Sequence, residues 1–185
     1  MKLASRNENK LRELAQVLDD WDLALLDVDE YPPEDGETYY ENARDKAEFG
    51  RGIAAQEWVL GEDSGIEVDA LGGRPGVYSA RFGGDDPVGR LLDELRGVDR
   101  RRARYVCELV ALAPDGHELR AAGTLAGRIA TEPRGSEGFG YDPIFVPDGE
   151  ARTVAELGNG WKRDNSHRAR AARELLRQAR AGSLV

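Results

Sequence analysis

The amino-acid sequence predicts an α/β fold in which helices flank a long mixed central sheet, with two lobes and an active-site cleft between them. Over roughly the first half of the chain, segments with the apolar spacing of helices alternate with short strand-like segments. Two longer strand-like segments follow, residues 104–113 and 118–126, with the turn Pro114-Asp115-Gly116 between them. Because no internal repeat or long linker divides the 185 residues, we expect a single domain, 1–185, built as two lobes.

The first third of the chain is predicted to form two strands and two helices. Residues 2–5 are a short predicted strand, and Asn7 can cap the helix that follows. Residues 23–28 are the second predicted strand, and the capping-box spacing of Thr38 and Glu41 predicts the start of a second helix. The first helix has an apolar face with i, i+3, i+4, i+7 spacing, formed by Leu11, Leu14, Ala15 and Leu18.

The remaining segments continue this alternation. Residues 58–61 are a predicted strand that ends at Glu62-Asp63-Ser64-Gly65, so we expect this acidic run to lie at a strand end. Residues 87–95 are predicted to be helical and residues 144–146 to form another short strand. Ser166 is expected to cap a last helix with an apolar face of Ala169, Ala172, Leu175, Leu176 and Ala179.

The composition is typical of a soluble globular protein, with 40% hydrophobic and 33% charged residues. A net charge of −9 argues against a general nucleic-acid binder, because such proteins usually present a basic surface. No apolar run approaches the roughly 18 residues of a membrane span, and the residues after Met1 do not resemble a signal peptide. We therefore expect a cytoplasmic protein with neither a nucleic-acid nor a membrane partner.

Two residue types are rare in this sequence. The single cysteine, Cys107, lies in an apolar run, so we expect a buried and unreactive thiol. Only four of the 26 basic residues are lysines, namely Lys2, Lys10, Lys46 and Lys162. This acidic, lysine-poor composition fits either a salt-adapted protein or a GC-rich genome.

Four short polar runs, two of them containing glycine, are candidate parts of one site. Each lies where a predicted strand or an apolar run ends or a predicted helix begins, and such junctions converge on one cleft in α/β proteins. Together they offer cations, carboxylates, an aromatic face and backbone N–H groups, which suits a nucleoside polyphosphate with a metal ion. The runs are Ser5-Arg6-Asn7-Glu8-Asn9-Lys10, Glu62-Asp63-Ser64-Gly65, Gly138-Phe139-Gly140-Tyr141-Asp142-Pro143 and Ser166-His167-Arg168.

The first run has the character of an anion site. It joins a predicted strand to a helix N-terminus, where backbone N–H groups lack partners and the helix dipole is positive. Lys10 adds a mobile point charge in the first turn of that helix. The alternative is an ordinary capped helix with a surface lysine.

The second run supplies candidate metal ligands and a base. Paired carboxylates such as Glu62 and Asp63 can hold Mg²⁺, and one of them can deprotonate a water. Glu41 is a further candidate ligand. The alternatives are a solvated acidic turn for the pair, and for Glu41 a role as capping partner of Thr38.

The third and fourth runs are candidates for nucleotide binding. Gly138 and Gly140 flank Phe139, whose ring can stack on a base; the alternative is a glycine-rich turn with a buried phenylalanine. Cations at a helix N-terminus are unfavourable for the helix itself. The grouping of Lys162, His167 and Arg168 near the last helix therefore favours an anionic or carbonyl-bearing ligand, although His167 alone could simply pack in the core.

At these residues the chain resembles the inosine triphosphate pyrophosphatases, also called non-standard purine NTP pyrophosphatases. The likeness runs through nearly the whole chain in the same order, and the ordered set is far more specific than any one motif. Beyond the four runs it includes Glu41-Asn42-Ala43, Val68-Asp69-Ala70-Leu71-Gly72-Gly73, Pro75-Gly76-Val77-Tyr78-Ser79-Ala80-Arg81, Pro133-Arg134-Gly135 and Ala155-Glu156-Leu157. The chain departs from the family in having Glu62 where many members have Asp, and Arg6 where a small residue is common.

The resemblance implies a Mg²⁺-dependent homodimer that hydrolyses ITP, dITP and XTP to the monophosphate and pyrophosphate. Asp63 would be the general base and a metal ligand, with Glu41 as the second ligand and Glu62 as a further candidate. The residues implied in substrate binding are Ser5, Arg6, Asn7, Glu8, Asn9, Lys10, Ser64, Phe139, Gly140, Tyr141, Asp142, Lys162, His167 and Arg168. Two alternatives stay open: a pyrophosphatase for pyrimidine or other modified nucleotides, and a non-catalytic nucleotide sensor.

Overall fold

The computed structural model describes residues 1–182, which contain six strands and five α-helices in a mixed α/β arrangement. This confirms the predicted fold class. The strands are β1 (Lys2–Leu3), β2 (Ala24–Leu25), β3 (Val59–Val68), β4 (Arg102–Leu112), β5 (Glu118–Ile129) and β6 (Phe145–Pro147). The helices are α1 (Glu8–Ala15), α2 (Tyr39–Ile53), α3 (Pro87–Glu94), α4 (Val154–Asn165) and α5 (His167–Ala181).

The strands form one sheet in the order β2-β1-β3-β4-β5-β6. The short strand β1 pairs in parallel with both β2 and β3, whereas β5 and β6 are antiparallel. The sheet is therefore mixed, with parallel strands towards one edge and an antiparallel pair at the other. No helix among residues 1–182 is both long enough and apolar enough to cross a membrane.

The chain divides into two compact units, each with its own hydrophobic core. Among the described residues, unit 1 comprises Met1–Asp63, Cys107–Gly123 and residues 167–182, and unit 2 comprises Ser64–Val106 and Thr124–Ser166. The core of unit 1 includes Leu3, Leu14, Leu60, Leu109 and Leu175. The core of unit 2 includes Ile66, Leu91, Ile129, Ile144 and Phe145.

All three helices that were predicted from capping signals begin directly after the expected residues, and the last of them, α5, starts at His167, just after Ser166. The Asn7 side chain accepts hydrogen bonds from the first turn of α1, and Thr38 and Glu41 form both bonds of a capping box at the start of α2. The predicted helix at residues 87–95 and the predicted hairpin strands also form. The second strand is shorter than expected, because β2 contains two residues.

The structure differs from the sequence analysis in two places, a prediction that is wrong and a helix that was not predicted. The acidic run does not end a strand: β3 continues for ten residues through Glu62-Asp63-Ser64-Gly65. A helix, α4, lies in a stretch for which no helix was predicted, and it is kinked at Gly158, which has a left-handed φ of 86°. The capping box of Thr153 and Glu156 nevertheless starts this helix.

Candidate active site

In unit 1, strand β3 presents consecutive carboxylates to different surroundings. Successive side chains of a strand point to opposite faces of the sheet, so Glu62 and Asp63 face opposite ways. Both residues are buried, with 0% and 4% of their surface exposed. Gly61 makes room for α2 on the Asp63 face, since a Cβ at position 61 would lie 1.8 Å from the Ala43 carbonyl oxygen.

The Glu62 carboxylate lies between two cations. Its Oε2 is 2.5 Å from Lys10 Nζ, and its Oε1 accepts hydrogen bonds from Arg168 Nε and Nη2 at 3.1 and 3.0 Å. A third bond holds Arg168 in place, because its Nη1 donates to Glu13 Oε2 at 2.5 Å. A Cβ at Gly123 would lie 2.1 Å from the His167 carbonyl oxygen, so α5, which carries Arg168, packs directly on β5.

This ion cluster fixes the charge of Glu62. Burial alone would raise the pKa of Glu62, but Lys10, Arg168 and Lys46 together hold it well below its usual range. The Cys107 thiol donates to Glu62 Oε1 at 3.6 Å. Burial and the Glu62 charge raise the pKa of Cys107 well above its ordinary value, although Arg168 and Lys10 oppose this. The thiol is therefore buried and unreactive, as predicted.

The Asp63 carboxylate has weaker partners. Its Oδ2 accepts a hydrogen bond from Asn42 Nδ2 at 3.1 Å, and its Oδ1 lies 3.3 Å from Lys46 Nζ. Lys46 is shared, because it also pairs with Glu34 and donates to the Glu62 carbonyl oxygen at 3.0 Å.

The environment makes Asp63 a better proton acceptor than an exposed aspartate. Burial raises the pKa of Asp63, and the nearby Glu62 charge adds to this, whereas Lys46, Lys10 and Asn42 lower it; the net direction is upward. Burial would lower the pKa of Lys46, but Asp63 and Glu34 outweigh it and keep this lysine charged. A carboxylate with a raised pKa beside a fixed cation is suited to general-base chemistry.

Glu41 is exposed at the start of α2 and already has a structural role. Its Oε2 accepts the backbone N–H groups of Glu37 and Thr38, both at 2.9 Å. The capping alternative is thus correct. It leaves room for a second role, since both bonds go to one oxygen of the carboxylate.

Side chains of the loop before α1 accept hydrogen bonds from backbone N–H groups that were expected to be available to a ligand. Asn7 Oδ1 accepts the N–H groups of Asn9 and Lys10 at 3.0 and 3.2 Å, and Ser5 Oγ accepts the N–H of Asn7 at 3.1 Å. The expectation that these amides lack partners is wrong for Asn7, Asn9 and Lys10, because polar side chains of the same loop accept their N–H groups. An anion at this helix end would have to compete with Asn7. The exposed Arg6 donates to the Asp29 carbonyl oxygen.

In unit 2 a second buried ion pair organises the glycine-rich run. Asp142 Oδ2 lies 2.6 Å from Lys162 Nζ and accepts the Phe139 N–H at 2.9 Å, while Oδ1 accepts the Tyr105 hydroxyl at 3.1 Å. Lys162 Nζ also lies 4.5 Å from the centroid of the Phe139 ring. Asp142 therefore fixes both the Phe139 loop and the lysine.

The other residues of unit 2 implied by the resemblance differ in accessibility. Tyr141 is buried and donates its hydroxyl to the Ser79 carbonyl oxygen at 3.0 Å, and burial raises its pKa to about 12. Gly140 has a left-handed φ of 61°, which favours glycine. Ser64 is half-buried on β3.

The cations that were grouped near the last helix are divided between two helices. Lys162 lies in the last turn of α4, where a cation is favourable, whereas His167 and Arg168 are the first residues of α5. The prediction that Lys162 lies at a helix start is therefore wrong, because α4 was overlooked. His167 is buried.

Sequence reasoning did not select four residues that hold the site of unit 1 together. Asn42 and Lys46 contact Asp63, Glu34 pairs with Lys46, and Glu13 orients Arg168. The rarity of lysine is a sequence feature that could have indicated Lys46. Arginine provides most of the positive charge of this chain, yet three of its four lysines lie in the buried ion pairs described above, Lys10 and Lys46 in unit 1 and Lys162 in unit 2. A lysine carries a compact, mobile charge that arginine cannot replace.

The acidic side chains of the site can be compared with the ligands required by Mg²⁺, the ion that the resemblance implies. Residues 1–182 contain no group of three or more His, Cys, Asp or Glu side chains arranged as a metal site. Mg²⁺ does not need one, because it is usually held by one or two carboxylates together with substrate phosphates and water. Asp63 and Glu41 fit that chemistry. Glu62 fits poorly, since both of its oxygens are paired with cations.

Comparison with known proteins assigns the family. The Ham1 family model matches residues 1–178. The chain belongs to the Ham1 family. It is 46% identical over 180 residues to a dITP/XTP pyrophosphatase of Deinococcus deserti, with 94% of this chain and 86% of the relative covered. It is 41% identical over 187 residues to a dITP/XTP pyrophosphatase of Bdellovibrio bacteriovorus, with 94% of each chain covered.

Solved structures of Ham1 proteins have the same fold. The Ham1 protein of Staphylococcus aureus superposes with a TM-score of 0.84 at 34% identity, and 98% of each chain is covered. A nucleoside-triphosphatase and dITP/XTP pyrophosphatase from Mycobacterium abscessus gives a TM-score of 0.73 at 40% identity, covering 95% of this chain and 97% of the other. The resemblance noted in the sequence is confirmed by both comparisons.

Proposed function

We propose that this Ham1 protein hydrolyses the non-standard purine nucleotides dITP, ITP and XTP to the monophosphate and pyrophosphate, and so removes them from the nucleotide pool. Its relatives at 41–46% identity are named dITP/XTP pyrophosphatases. The observation that carries the proposal within the structure is Asp63, a buried carboxylate with a raised pKa and a lysine beside it.

The proposed reaction is one hydrolytic step at the α-phosphorus. Asp63 accepts a proton from a water molecule as the water oxygen attacks the α-phosphorus. The bond from the α-phosphorus to the bridging oxygen breaks, and pyrophosphate leaves with that oxygen. Lys46 keeps Asp63 close to a positive charge, and Lys10, already held beside Glu62, supplies positive charge for the leaving phosphates.

We propose Mg²⁺ as the cofactor, with Asp63 and Glu41 as its protein ligands. When bound, the ion neutralises phosphate charge and helps to orient water. The expected result is that a chelator abolishes pyrophosphate release and that added Mg²⁺ restores it. Full activity in excess chelator would contradict this assignment.

Discrimination against adenine, though not against guanine, follows from the purine 6-position. Hypoxanthine and xanthine present a 6-keto acceptor there, whereas adenine presents a 6-amino donor. A buried N–H donor in the site pairs with the first and is left unpaired by the second, which can discriminate by several orders of magnitude. Arg168 is one candidate donor, although its guanidinium is bonded to Glu62 and Glu13; a backbone N–H is the other. That Phe139 stacks on the base stays a prediction.

The experiment that tests the proposed function is a measurement of pyrophosphate release with Mg²⁺ from ITP, dITP, XTP, ATP, GTP and TTP. Rapid release from the first three alone is the expected result. Orthophosphate in place of pyrophosphate would mean that a different bond is cleaved. Preferred hydrolysis of TTP would favour a pyrimidine pyrophosphatase, and tight binding without hydrolysis would favour a sensor.

We propose further that the protein is a homodimer and acts in the cytoplasm. The expected mass in solution, measured by light scattering, is near twice that of the 20.3 kDa chain. A monomeric mass at micromolar concentration would contradict the dimer.

A further inference from the structure

Unit 2 contains an arginine-rich groove that has no part in the proposed reaction. The groove has a volume of about 530 Å³. Its lining includes five arginines, in a chain whose net charge is −9. They are Arg100, Arg101, Arg102, Arg128 and Arg134.

One of these arginines builds the wall of the groove. Arg101 donates Nε to the Ile129 carbonyl oxygen at 3.0 Å and Nη2 to the Ala130 carbonyl oxygen at 2.9 Å. Its Nη1 donates to the Leu95 carbonyl oxygen at 2.8 Å. These backbone acceptors carry no formal charge, so they fix the guanidinium in place and leave its positive charge uncompensated.

The strand pairing places two further arginines together. Ile129 N–H donates to the Arg101 carbonyl oxygen at 2.8 Å, and at the other end of the hairpin Ala113 N–H donates to the His117 carbonyl oxygen at 2.9 Å. In the antiparallel register that both bonds define, Arg102 lies opposite Arg128. Like charges directly opposite each other destabilise a sheet, and a bound anion would relieve that repulsion.

The carboxylates of unit 2 neutralise these arginines unevenly. Arg102 Nη1 lies 2.8 Å from Asp148, and Arg134 Nε lies 3.7 Å from Glu156. Within residues 1–182, neither Arg100 nor Arg128 has a carboxylate at ion-pair distance. Two carboxylates at the groove itself, Asp99 and Glu132, leave the arginines in excess.

We propose that this groove binds a compact inorganic polyphosphate, pyrophosphate or triphosphate, with Arg100 and Arg128 as the principal contacts. The volume is in the usual range for a small-molecule site. Guanidinium groups are matched to phosphate oxygens in both charge and geometry. The site is additional to the proposed active site and does not depend on catalysis.

The lining favours the phosphate chain over a nucleotide or a nucleic acid. Among the described residues that line the groove, none is aromatic, so a base would have no ring on which to stack. The strongly acidic chain also disfavours a long polyanion, whose outer phosphates would meet negative surface.

The test is a titration of the full chain with sodium pyrophosphate and then with triphosphate, in excess chelator and without nucleotide. Site-resolved binding is read from the Nε–H signals of the arginines by NMR, and affinity by calorimetry. The groove variant is Arg100→Gln/Arg128→Gln. The control variant, Arg90→Gln/Arg96→Gln, removes the same number of charges at two largely exposed arginines, which pair with Glu94 and Asp93.

We expect Arg100 and Arg128 signals to shift on titration, and groove affinity to fall at least tenfold in the groove variant but less than twofold in the control. Equal losses in the two variants, or no shift at Arg100 and Arg128, would overturn the proposal. So would dITP binding there more than tenfold tighter than triphosphate, since that requires contacts to the base. A single-stranded oligonucleotide that displaced pyrophosphate at nanomolar concentration would instead assign the groove to nucleic acid.

Discussion

The surroundings on the two faces of strand β3 shift the pKa values of two neighbouring carboxylates in opposite directions. On one face, Glu62 is paired with both Lys10 and Arg168, and these cations outweigh the effect of burial. On the other face, Asp63 is beside one lysine that it shares with Glu34, and burial has the larger effect. The pKa of Glu62 is lowered as a result, whereas the pKa of Asp63 is raised.

This difference separates two functions that the sequence run alone does not distinguish. Two carboxylates whose environments push their pKa values apart can perform different tasks at one pH. Glu62 stays ionised and holds Lys10 and Arg168 in place. Asp63 has a raised pKa, so it is the carboxylate of the two that can accept a proton.

The largest expected effect is on turnover. Asp63→Asn removes the proton acceptor, and we expect pyrophosphate release from dITP to fall by up to about 10⁴-fold. The fold should survive, because Lys46 keeps Glu34 as a partner. Asp45→Asn, an exposed change on α2, is the matched control. Near-normal turnover in Asp63→Asn, with an unchanged urea unfolding curve, would remove Asp63 as the base.

The next effect is on stability. Glu62→Gln leaves Lys10 and Arg168 without their shared carboxylate, and breaking a buried ion pair in this way costs about 3 kcal/mol of unfolding free energy. Glu48→Gln breaks the exposed pair with Arg44 and should cost less than about 1 kcal/mol. Urea unfolding of the two variants measures both costs. Equal costs would mean that Glu62 is not the centre of the cluster.

The contribution of Glu62 should also depend on pH. Because its pKa is lower in the folded state than in the unfolded state, its stabilisation is complete above about pH 4.3 and declines as the pH falls. The stability gap between the wild-type protein and Glu62→Gln should then narrow by about 1.4 kcal/mol per pH unit. A gap that stayed constant down to pH 3 would contradict the lowered pKa.

A smaller effect concerns Lys46. This lysine lowers the pKa of Asp63, so Lys46→Met should move the Asp63 titration midpoint further upward. Lys46→Arg keeps the charge and should move it less. Carboxyl ¹³C NMR of the metal-free protein measures both midpoints. A downward shift in Lys46→Met would show that another cation controls Asp63.

Local signals in the sequence predicted the helix starts, whereas the long strand depended on distant partners. Asn7 and Thr38 act on amides two or three residues away, so their capping roles can be inferred from sequence alone. The sequence at Glu62 and Asp63 is typical of an exposed turn, because charged side chains are costly to bury inside a strand. Cations from α1, α2 and α5 make that burial possible, and no local pattern reveals them.

Long-range contacts also define the site residues that the sequence did not indicate. Glu13 and Lys46 lie on α1 and α2, a few residues after the predicted site residues of those helices. Their roles depend on contacts with residues that are distant in sequence, Arg168 and Asp63. Helix α4 was not predicted because Gly158 lies in the middle of its sequence and is unfavourable in a helix. Lys162 was therefore assigned to the start of the last helix, whereas it lies at the end of α4.

The most direct test of this account is a carboxyl ¹³C NMR titration of Asp63 and Glu62 in the metal-free protein. We predict an Asp63 midpoint above the ordinary aspartate value of about 3.9. Glu62 should show no inflection at any pH where the protein stays folded. A Glu62 midpoint at or above that of Asp63 would contradict the division of roles between the two faces of β3.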